Sequence, residues 1–446
     1  MERPSLPAAF CQRLLTQMSQ SEAQALCDAL NDTAQATTSI RLNPFKPTMP
    51  PVDTTRVPWC EAGHILAERP HFTSDALLHA GCYYVQEAAS MSIELAYNAM
   101  EEPPQLLLDL CAAPGGKSTH WRSLMPQGSL LVANEPIRQR AMILRENLQK
   151  WGHPDVMVCE DYPQRFGRLT GLFDVIATDV PCSGEGMFRK DPNARSEWSE
   201  TQTQKCAALQ RDIIRDVWPA LRGGGYLVYS TCTFNPAENE QNVDWICHHL
   251  GAEVIPLTSP ASWGITVNEG MLHFFPHYTR GEGFFLALLR KTEDERTIRL
   301  RSLERTFALP RGWLRDEKEF VGLMSKGNML SALRRTLLPA ATAIRAAVHT
   351  LSTGIDMMQV KGRNEIPAHA LALSTQLHEQ AFPIAALSSE EALHYLSRQA
   401  LTLSPEVPKG YVIVAHQGHP LGFVKNIGSR ANNLYPAEWR IRHLPL

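Results

Sequence analysis

Two cysteines that follow apolar runs are the side chains best suited to covalent chemistry. Cys182 lies three residues after Asp179, and Cys232 ends the sequence Ser230-Thr231-Cys232. A cysteine that closes a strand is more often a packed core residue, but two such thiols on one edge, one of them beside an acid, favour a reactive site. A thiolate that adds to carbon 6 of a cytosine makes carbon 5 enamine-like, so that carbon 5 can attack an electrophilic methyl group.

A loop of small residues is the candidate cofactor site. It consists of Cys111, Ala112, Ala113, Pro114, Gly115, Gly116 and Lys117. Small residues let a ligand approach the backbone closely, and the helix that follows offers free N–H groups. The loop departs from the G-x-x-x-x-G-K-[ST] pattern, which disfavours a P-loop. Glu135 and Asp161 end the next two apolar runs. Each alone is as well explained as a surface carboxylate, but behind this loop they favour S-adenosylmethionine, with contacts to its ribose and adenine.

The elements that must position these residues alternate between strand and helix. Five short apolar runs each end in an acid or a polar turn, at residues 106–109, 129–135, 156–161, 173–179 and 226–230. Helix-like segments separate them, which predicts an α/β domain with a mainly parallel sheet. The carboxyl ends of parallel strands meet at one edge, where such sheets bind ligands. Residues 1–35 read as helical, and residues 410–424 read as a β-hairpin.

These residues resemble the motifs of the NOL1/NOP2/Sun family of RNA (cytosine-5) methyltransferases. The resemblance is carried by the loop 111–117, the segment 179–184 and Ser230-Thr231-Cys232, and residues 79–90 are similar to the family's lead-in to its catalytic domain. It covers roughly residues 75–290 most strongly. It implies a Rossmann-like, S-adenosylmethionine-dependent methyltransferase core that acts on RNA.

The resemblance also implies roles for single residues. Cys232 is implied to be the nucleophile, Cys182 to help release the methylated base, and Asp179 to contact the base. The loop 111–117, with Glu135, Asp161 and Asp179, is implied to line the cofactor site. Arg189 and Lys190 follow a glycine-containing loop, and we expect either a contact with RNA phosphate or a solvated surface pair.

The resemblance extends beyond the core. Residues 421–425 and 432–436 resemble a PUA-type RNA-binding module, and the domain order resembles a bacterial subfamily that methylates small-subunit ribosomal RNA. We predict an N-terminal mixed, RNA-binding region (1–98), a catalytic domain (99–292), an intermediate small domain (306–385) and a PUA-like, β-rich domain (386–446). Lys425, Arg430, Arg440 and Arg442 would form a basic patch there, with Tyr435 and Trp439 as aromatic neighbours.

Composition limits the partners and the cellular location that we expect for the chain. The net charge of -3 argues mildly against a nucleic-acid partner, although a local basic surface is compatible with it. Ten cysteines without a C-x-x-C pair suggest no metal site and no disulfide scaffold. No run approaches the length of a membrane helix, and the N-terminal segment lacks the apolar region of a secretory signal. We therefore expect a cytoplasmic monomer whose partner is RNA, with ribosomal RNA as the leading candidate, and neither DNA nor a membrane.

Three alternatives stay open. A DNA cytosine-5 methyltransferase would use the Pro-Cys thiol, Cys182, as its nucleophile, which the presence of Cys232 and the PUA-like end disfavour. A tRNA in place of ribosomal RNA is a second alternative. A non-catalytic RNA-binding assembly factor is a third, which the intact thiols and acids disfavour.

Overall fold

The computed structural model describes residues 4–293, 300, 304–325, 327–362 and 364–442. Two amphipathic helices come first, α1 (Ala8–Gln17) and α2 (Gln20–Asn31). Ser19 accepts the Glu22 N–H while the Glu22 side chain accepts the Ser19 N–H, a capping box that starts α2. Phe10 and Leu14 form the buried face of α1. The helical prediction for this segment is confirmed.

A small antiparallel sheet follows, with the strand order β2-β3-β1-β4. Its elements are β1 (Ser39–Leu42), β2 (Thr54–Arg56), β3 (Gly63–Leu66), α3 (Ala76–His79) and β4 (Tyr83–Val85). The fully buried Arg41 of β1 donates to Thr119 Oγ1 at 2.6 Å and to Gln86 Oε1 at 2.9 Å. Since Thr119 belongs to the central α/β region, Arg41 connects the two regions.

Ten strands form the central sheet, in the order β11-β12-β13-β9-β8-β5-β6-β7-β16, with β10 paired to β13. Five central strands run parallel: β5 (Leu106–Asp109), β6 (Leu130–Asn134), β7 (Val156–Cys159), β8 (Phe173–Asp179) and β9 (Leu221–Thr231). The flanking strands pair antiparallel: β10 (Ala252–Val254), β11 (Thr266–Asn268), β12 (Met271–Phe274), β13 (Phe284–Lys291) and β16 (Thr350–Thr353). The chain order reverses between β5 and β8, where ligand crevices open in such sheets. The Rossmann-like core is thus confirmed.

Helices cover both faces of this sheet, as parallel strands require. They are α4 (Ile93–Asn98), α5 (Gly116–Leu124), α6 (Arg138–Trp151), α7 (Pro163–Phe166), α8 (Pro192–Glu197), α9 (Glu200–Val217) and α10 (Glu240–Leu250). Successive strand residues point to opposite faces, so Leu107 joins one buried apolar cluster and Leu108 the other. Two hydrophobic layers therefore hold the strand ends in place.

The chain after β13 forms a second antiparallel sheet and also extends the first. The second sheet consists of β14 (Phe320–Met324), β15 (Met329–Arg334), β17 (Ile355–Lys361) and β18 (Asn364–Pro367), accompanied by α11 (Leu338–Ala347) and α12 (His369–Leu373). Strand β16 lies between them in sequence but pairs with β7, with Thr350 opposite Cys159. β7 would otherwise be an open sheet edge. Where the sequence indicated an intermediate small domain, one strand therefore belongs to the central sheet.

The C-terminal sheet contains the predicted hairpin. Its elements are β19 (Ile384–Ala386), α13 (Ser389–Leu396), β20 (Gly410–His416), β21 (His419–Asn426) and β22 (Ala431–Asn433). Gln417 and Gly418 join β20 to β21 with φ values of 49° and 80°, as a two-residue type I′ turn requires. Among the described helices, none is long and apolar enough to cross a membrane.

Candidate active site

The loop between β5 and α5 is shaped by one glycine and one buried carboxylate. Gly115 has a φ of 115°, and a Cβ at this position would lie 3.2 Å from Leu144 Cδ1. Only glycine adopts such a backbone without strain. Asp109 accepts a hydrogen bond from the Ser118 hydroxyl at 2.6 Å, and burial raises the pKa of Asp109 to about 7. Asp109 therefore anchors the first turn of α5.

An open cleft of about 1070 Å³ lies on one side of this loop. Ile137 and Pro181 give it apolar walls, and Glu135 adds a carboxylate. Glu135 is almost fully buried, accepts the Ile137 N–H at 3.1 Å and pairs with Arg140 at 3.2 Å. Apolar walls suit a purine ring, and a carboxylate accepts ribose hydroxyls. The residues present fit a nucleoside-bearing cofactor, and a contact between Glu135 and its ribose stays a prediction.

The Asp161 carboxylate accepts hydrogen bonds from the backbone, although its position after β7 suggested a cofactor contact. One of its carboxylate oxygens accepts the Tyr162 N–H at 3.0 Å, and the other accepts the His349 N–H at 3.0 Å. His349 directly precedes β16, so the carboxylate helps to attach that strand. Tyr162 lines the large cleft beside it. A contact between Asp161 and adenine stays a prediction.

A smaller cleft of about 560 Å³ opens on the other side of the loop and contains an ion pair. Lys117 Nζ donates to Asp179 Oδ2 at 2.9 Å, and the Ser230 hydroxyl donates to Asp179 Oδ1 at 3.0 Å. Burial lowers the pKa of Lys117, but attraction to Asp179 outweighs it and leaves the pKa raised. Lys117 therefore stays cationic. The Asp179 side chain remains 36% exposed, so a ligand in this cleft can reach it.

Strands β8 and β9 bring the two thiols together. Their parallel pairing sets Asp179 opposite Ser230, so the loops that follow begin at the same sheet edge. The sulfur atoms of Cys182 and Cys232 lie 3.1 Å apart, within hydrogen-bonding distance. That hydrogen bond, and then burial, raise the pKa of Cys182 well above its ordinary value. The Cys182 thiol therefore keeps its proton and can donate a hydrogen bond to the Cys232 sulfur.

A buried carboxylate beside the loop of Cys182 was not found from the sequence. Glu238 accepts the Ser183 N–H at 2.8 Å, a second bond from the Ser183 hydroxyl, and Gln210 Nε2 at 3.1 Å. Ser183 Oγ lies 3.0 Å from Thr233 Oγ1, so the residues that follow the two cysteines meet above it. Burial raises the pKa of Glu238 to about 7. In the sequence it is one acid in a polar run, without a local signal.

Arg189 is buried, which corrects the expectation of an RNA contact or a solvated surface pair. Its Nε and NH2 groups donate to the two carboxylate oxygens of Glu282 at 2.9 and 3.0 Å, and both side chains are almost fully buried. Lys190 Nζ lies 3.3 Å from the same carboxylate. This cluster joins the loop after Cys182 to the segment before β13.

The four cations of the predicted basic patch near the C-terminus are exposed, but one of its two aromatic residues is buried. The exposed cations are Lys425, Arg430, Arg440 and Arg442. Tyr435 is buried and packs edge-on against Tyr395 and His369, with ring centroids 5.4 and 5.2 Å away. It therefore belongs to the domain core, and Trp439 is the half-buried aromatic residue that stays beside the cations.

Three family models match the chain in the order of its domains. The N-terminal domain of 16S rRNA methyltransferase RsmF matches residues 6–88, 16S rRNA methyltransferase RsmB/F matches residues 96–290, and the methyltransferase RsmF PUA domain matches residues 382–441. The second match contains both candidate thiols and the cofactor loop. The third contains the C-terminal hairpin.

Individual relatives agree with these models. Ribosomal RNA small subunit methyltransferase F of Escherichia coli O139:H28 (strain E24377A / ETEC) is 34% identical over 407 residues, which cover 86% of this chain and 84% of the relative. The protein of the same name from Shigella dysenteriae serotype 1 (strain Sd197) is also 34% identical, with the same coverage.

Solved structures share the fold. PH0851 superposes with a TM-score of 0.58 at 26% identity, covering 64% of this chain and 66% of that one. NSun6 from Pyrococcus horikoshii, solved with SFG, superposes with a TM-score of 0.55 at 20% identity, covering 65% of this chain and 99% of that one.

Proposed function

The chain belongs to the 16S rRNA methyltransferase RsmB/F family, with the domains of RsmF, and on that premise we propose its reaction and the residues that carry it. We propose that it methylates carbon 5 of a cytidine in 16S rRNA, with S-adenosylmethionine as the methyl donor and Cys232 as the nucleophile. The observation that supports this chemistry best is the pair of thiols 3.1 Å apart at the cofactor edge of the sheet.

The loop 111–117 and the clefts on its two sides would hold S-adenosylmethionine. Glu135 would accept hydrogen bonds from the ribose hydroxyls, and Ile137, Pro181 and Asp161 would contact the adenine. When bound, this cofactor supplies a methyl group on a cationic sulfur, which is the electrophile of the reaction. The chain's own residues must then present carbon 5 of the base to that methyl group and activate it.

Cys232 activates the base by adding to it. As the thiolate it attacks carbon 6, a sulfur–carbon bond forms, and an electron pair moves towards carbon 5. Carbon 5 takes the methyl group and loses its proton, and the bond between Cys232 and carbon 6 then breaks. The base regains its aromatic ring, and the thiolate is returned.

Cys182 changes its role during this sequence. Before the reaction, its hydrogen bond to Cys232 is the main cause of its raised pKa. The adduct consumes the Cys232 thiolate, so the Cys182 thiol loses that hydrogen-bond acceptor and faces the modified base instead. We assign Cys182 to the release step, in which the carbon-5 proton must leave before Cys232 can depart.

Asp179 would select and orient the base. Lys117 and Ser230 fix the direction of its carboxylate, which can accept a hydrogen bond from the exocyclic amine of cytosine. Uracil presents a carbonyl oxygen at the same place, and two acceptors facing each other repel. This arrangement favours cytosine over uracil.

Methyl-labelled S-adenosylmethionine and unmethylated small-subunit RNA test the proposal, with products separated on a denaturing gel. Wild type should label the RNA. Cys182→Ala should accumulate a covalent RNA–protein species, because release is impaired, and Cys232→Ala should give neither product. Cys206→Ala, which alters a buried thiol in α9, serves as the matched control and should behave as wild type.

Two outcomes would contradict the proposal. A covalent species in Cys232→Ala, and none in Cys182→Ala, would make Cys182 the nucleophile. No label from wild type on free RNA or on assembled small subunits would reject the methyl-transfer activity and favour a binding role.

A further inference from the structure

A buried carboxylate after Cys182 is satisfied by donors from distant parts of the chain. Glu185 is fully buried. It accepts four hydrogen bonds, from Arg13 NH1 and NH2 at 2.7 Å each, from Trp198 Nε1 at 2.9 Å and from the Phe234 N–H at 3.2 Å. A carboxylate offers about four lone-pair sites, so its acceptor capacity is used in full. The bidentate guanidinium compensates a charge that would be costly to bury alone.

Glu185 connects both cysteine loops. It lies three residues after Cys182, and its donor Phe234 lies two residues after Cys232. The adjacent Gly186 N–H donates to the Cys232 carbonyl at 2.9 Å, and a Cβ on Gly186 would lie 2.8 Å from that oxygen. The two thiol-bearing loops therefore contact each other directly and share one buried anion.

Helix α1 supplies the cation and shields it from water. Phe10 packs edge-on against Phe188 and Trp198, with ring centroids 5.1 and 6.0 Å away. The Arg13 guanidinium lies over the Trp198 ring, with its Cζ 5.8 Å from the centroid. A pair enclosed in this way is weakly screened by solvent. Helix α1 thus packs against the segment that follows Cys182, and it also belongs to the region predicted to bind RNA.

We propose that Arg13 and Glu185 are positioning residues for methyl transfer. Their ion pair holds the loops of Cys182 and Cys232 at the separation at which the two thiols form a hydrogen bond. The inference rests on the proposed function, because the separation of the thiols matters for catalysis only if Cys232 and Cys182 act as proposed. A displacement of about 1 Å at a reacting group lowers rates by about 100-fold. Loss of the pair should therefore slow turnover, although neither residue touches the substrate.

The test compares Arg13→Met and Arg13→Lys with a matched control. Arg145→Met breaks a partly buried ion pair with Asp356, 2.7 Å long, between α6 and β17. For each full-length variant, the melting temperature, the affinity for S-adenosylmethionine, and kcat and KM on unmethylated small-subunit RNA are measured well below the melting temperature.

A positioning role predicts a split between kcat and KM. Arg13→Met should lower kcat by about tenfold or more, while KM for RNA and the affinity for S-adenosylmethionine change by less than about two-fold. Arg13→Lys keeps the charge but loses the bidentate geometry, and should recover part of kcat. In a Cys182→Ala background, Arg13→Met should also slow formation of the covalent species. Arg145→Met should lower the melting temperature and leave kcat unchanged.

The proposal is overturned if Arg13→Met melts earlier but keeps the wild-type kcat, since the pair would then serve stability alone. If Arg13→Met does not fold, Arg13→Lys decides, and a wild-type kcat in that variant overturns the proposal. Failure of the proposed function would appear elsewhere, as an inactive wild type or an active Cys232→Ala.

Discussion

Replacing Glu238 with glutamine tests the electrostatics of the site at a single residue. The carboxylate is fully buried and accepts the N–H and the hydroxyl of Ser183. Burial, the largest effect on it, raises its pKa from 4.5 to about 7. Glutamine has nearly the same shape, and its side-chain oxygen can accept the same N–H, but it does not titrate. The substitution therefore removes the ionisation and keeps the packing.

The magnitude and sign follow from proton linkage. A shift from 4.5 to about 7 corresponds to ~3 kcal/mol at about 1.36 kcal/mol per pKa unit. Because the folded-state pKa is raised, the folded protein holds this proton more tightly than the unfolded chain does. The contribution to stability is complete below pH 4.5 and is lost as the pH rises through about 7. The stability of wild type relative to Glu238→Gln should fall by ~3 kcal/mol over that window.

Thermal unfolding at a series of pH values measures this difference, and Asp109, with its own pKa of about 7, cancels because both proteins contain it. A ~3 kcal/mol change corresponds to roughly 6–12 °C for a cooperative unit of about 200 residues. Ser183→Ala is the matched arm, since it removes a hydrogen bond that lowers the pKa of Glu238 and should move the fall to higher pH. A melting-temperature difference that stays constant from about pH 5 to about pH 8, or grows with pH, would refute the reasoning.

Two further substitutions test the loop and the corrected ion pair. Gly115→Ala forces a side chain into a backbone with a φ of 115°, at ~1–3 kcal/mol, and should weaken S-adenosylmethionine binding in calorimetry; an unchanged affinity would contradict the role of the loop. Arg189→Met should lower the melting temperature, since it removes the bidentate partner of the buried Glu282 at ~3 kcal/mol or more. Arg440→Met, at an exposed cation, should instead leave the melting temperature unchanged and reduce the salt dependence of RNA binding, and the opposite pattern would restore Arg189 as an RNA contact.

The strand ends of the site could be predicted because parallel strands have a local signature. Each of the five apolar runs is a strand of the central sheet, and pairing in register then brings their carboxyl ends to one edge. That is why Cys182 and Cys232 could be expected to converge from the sequence alone. The same reasoning did not find the attachment of β16 to β7, because Thr350 and Cys159 are 191 residues apart and no local pattern specifies an edge partner.

Arg189 shows why solvent exposure is harder to predict than secondary structure. A basic pair after a glycine-containing loop is typical of a solvated surface, and on local grounds that interpretation was sound. The burial of Arg189 depends on Glu282, which lies 93 residues later in the sequence and whose carboxylate neutralises the guanidinium. A charge is buried only where such a partner is present, so the identity of the partner has to be known first.

The residues on the cofactor side of the site lie close together in the sequence, whereas those that hold the thiols lie far apart in it. The loop, Glu135 and Asp161 all fall within three consecutive strand–helix units, since a ligand-binding backbone shape can be encoded locally. Thiol chemistry needs dehydrated loops held at a fixed separation, and in this protein buried carboxyl groups with several hydrogen-bond donors hold those loops. Those donors come from elsewhere, with Arg13 172 residues before Glu185, and Ser183 55 residues before Glu238. Long-range charge pairing leaves no periodicity in a single sequence, so the residues that hold the thiols are the ones that only the folded chain reveals.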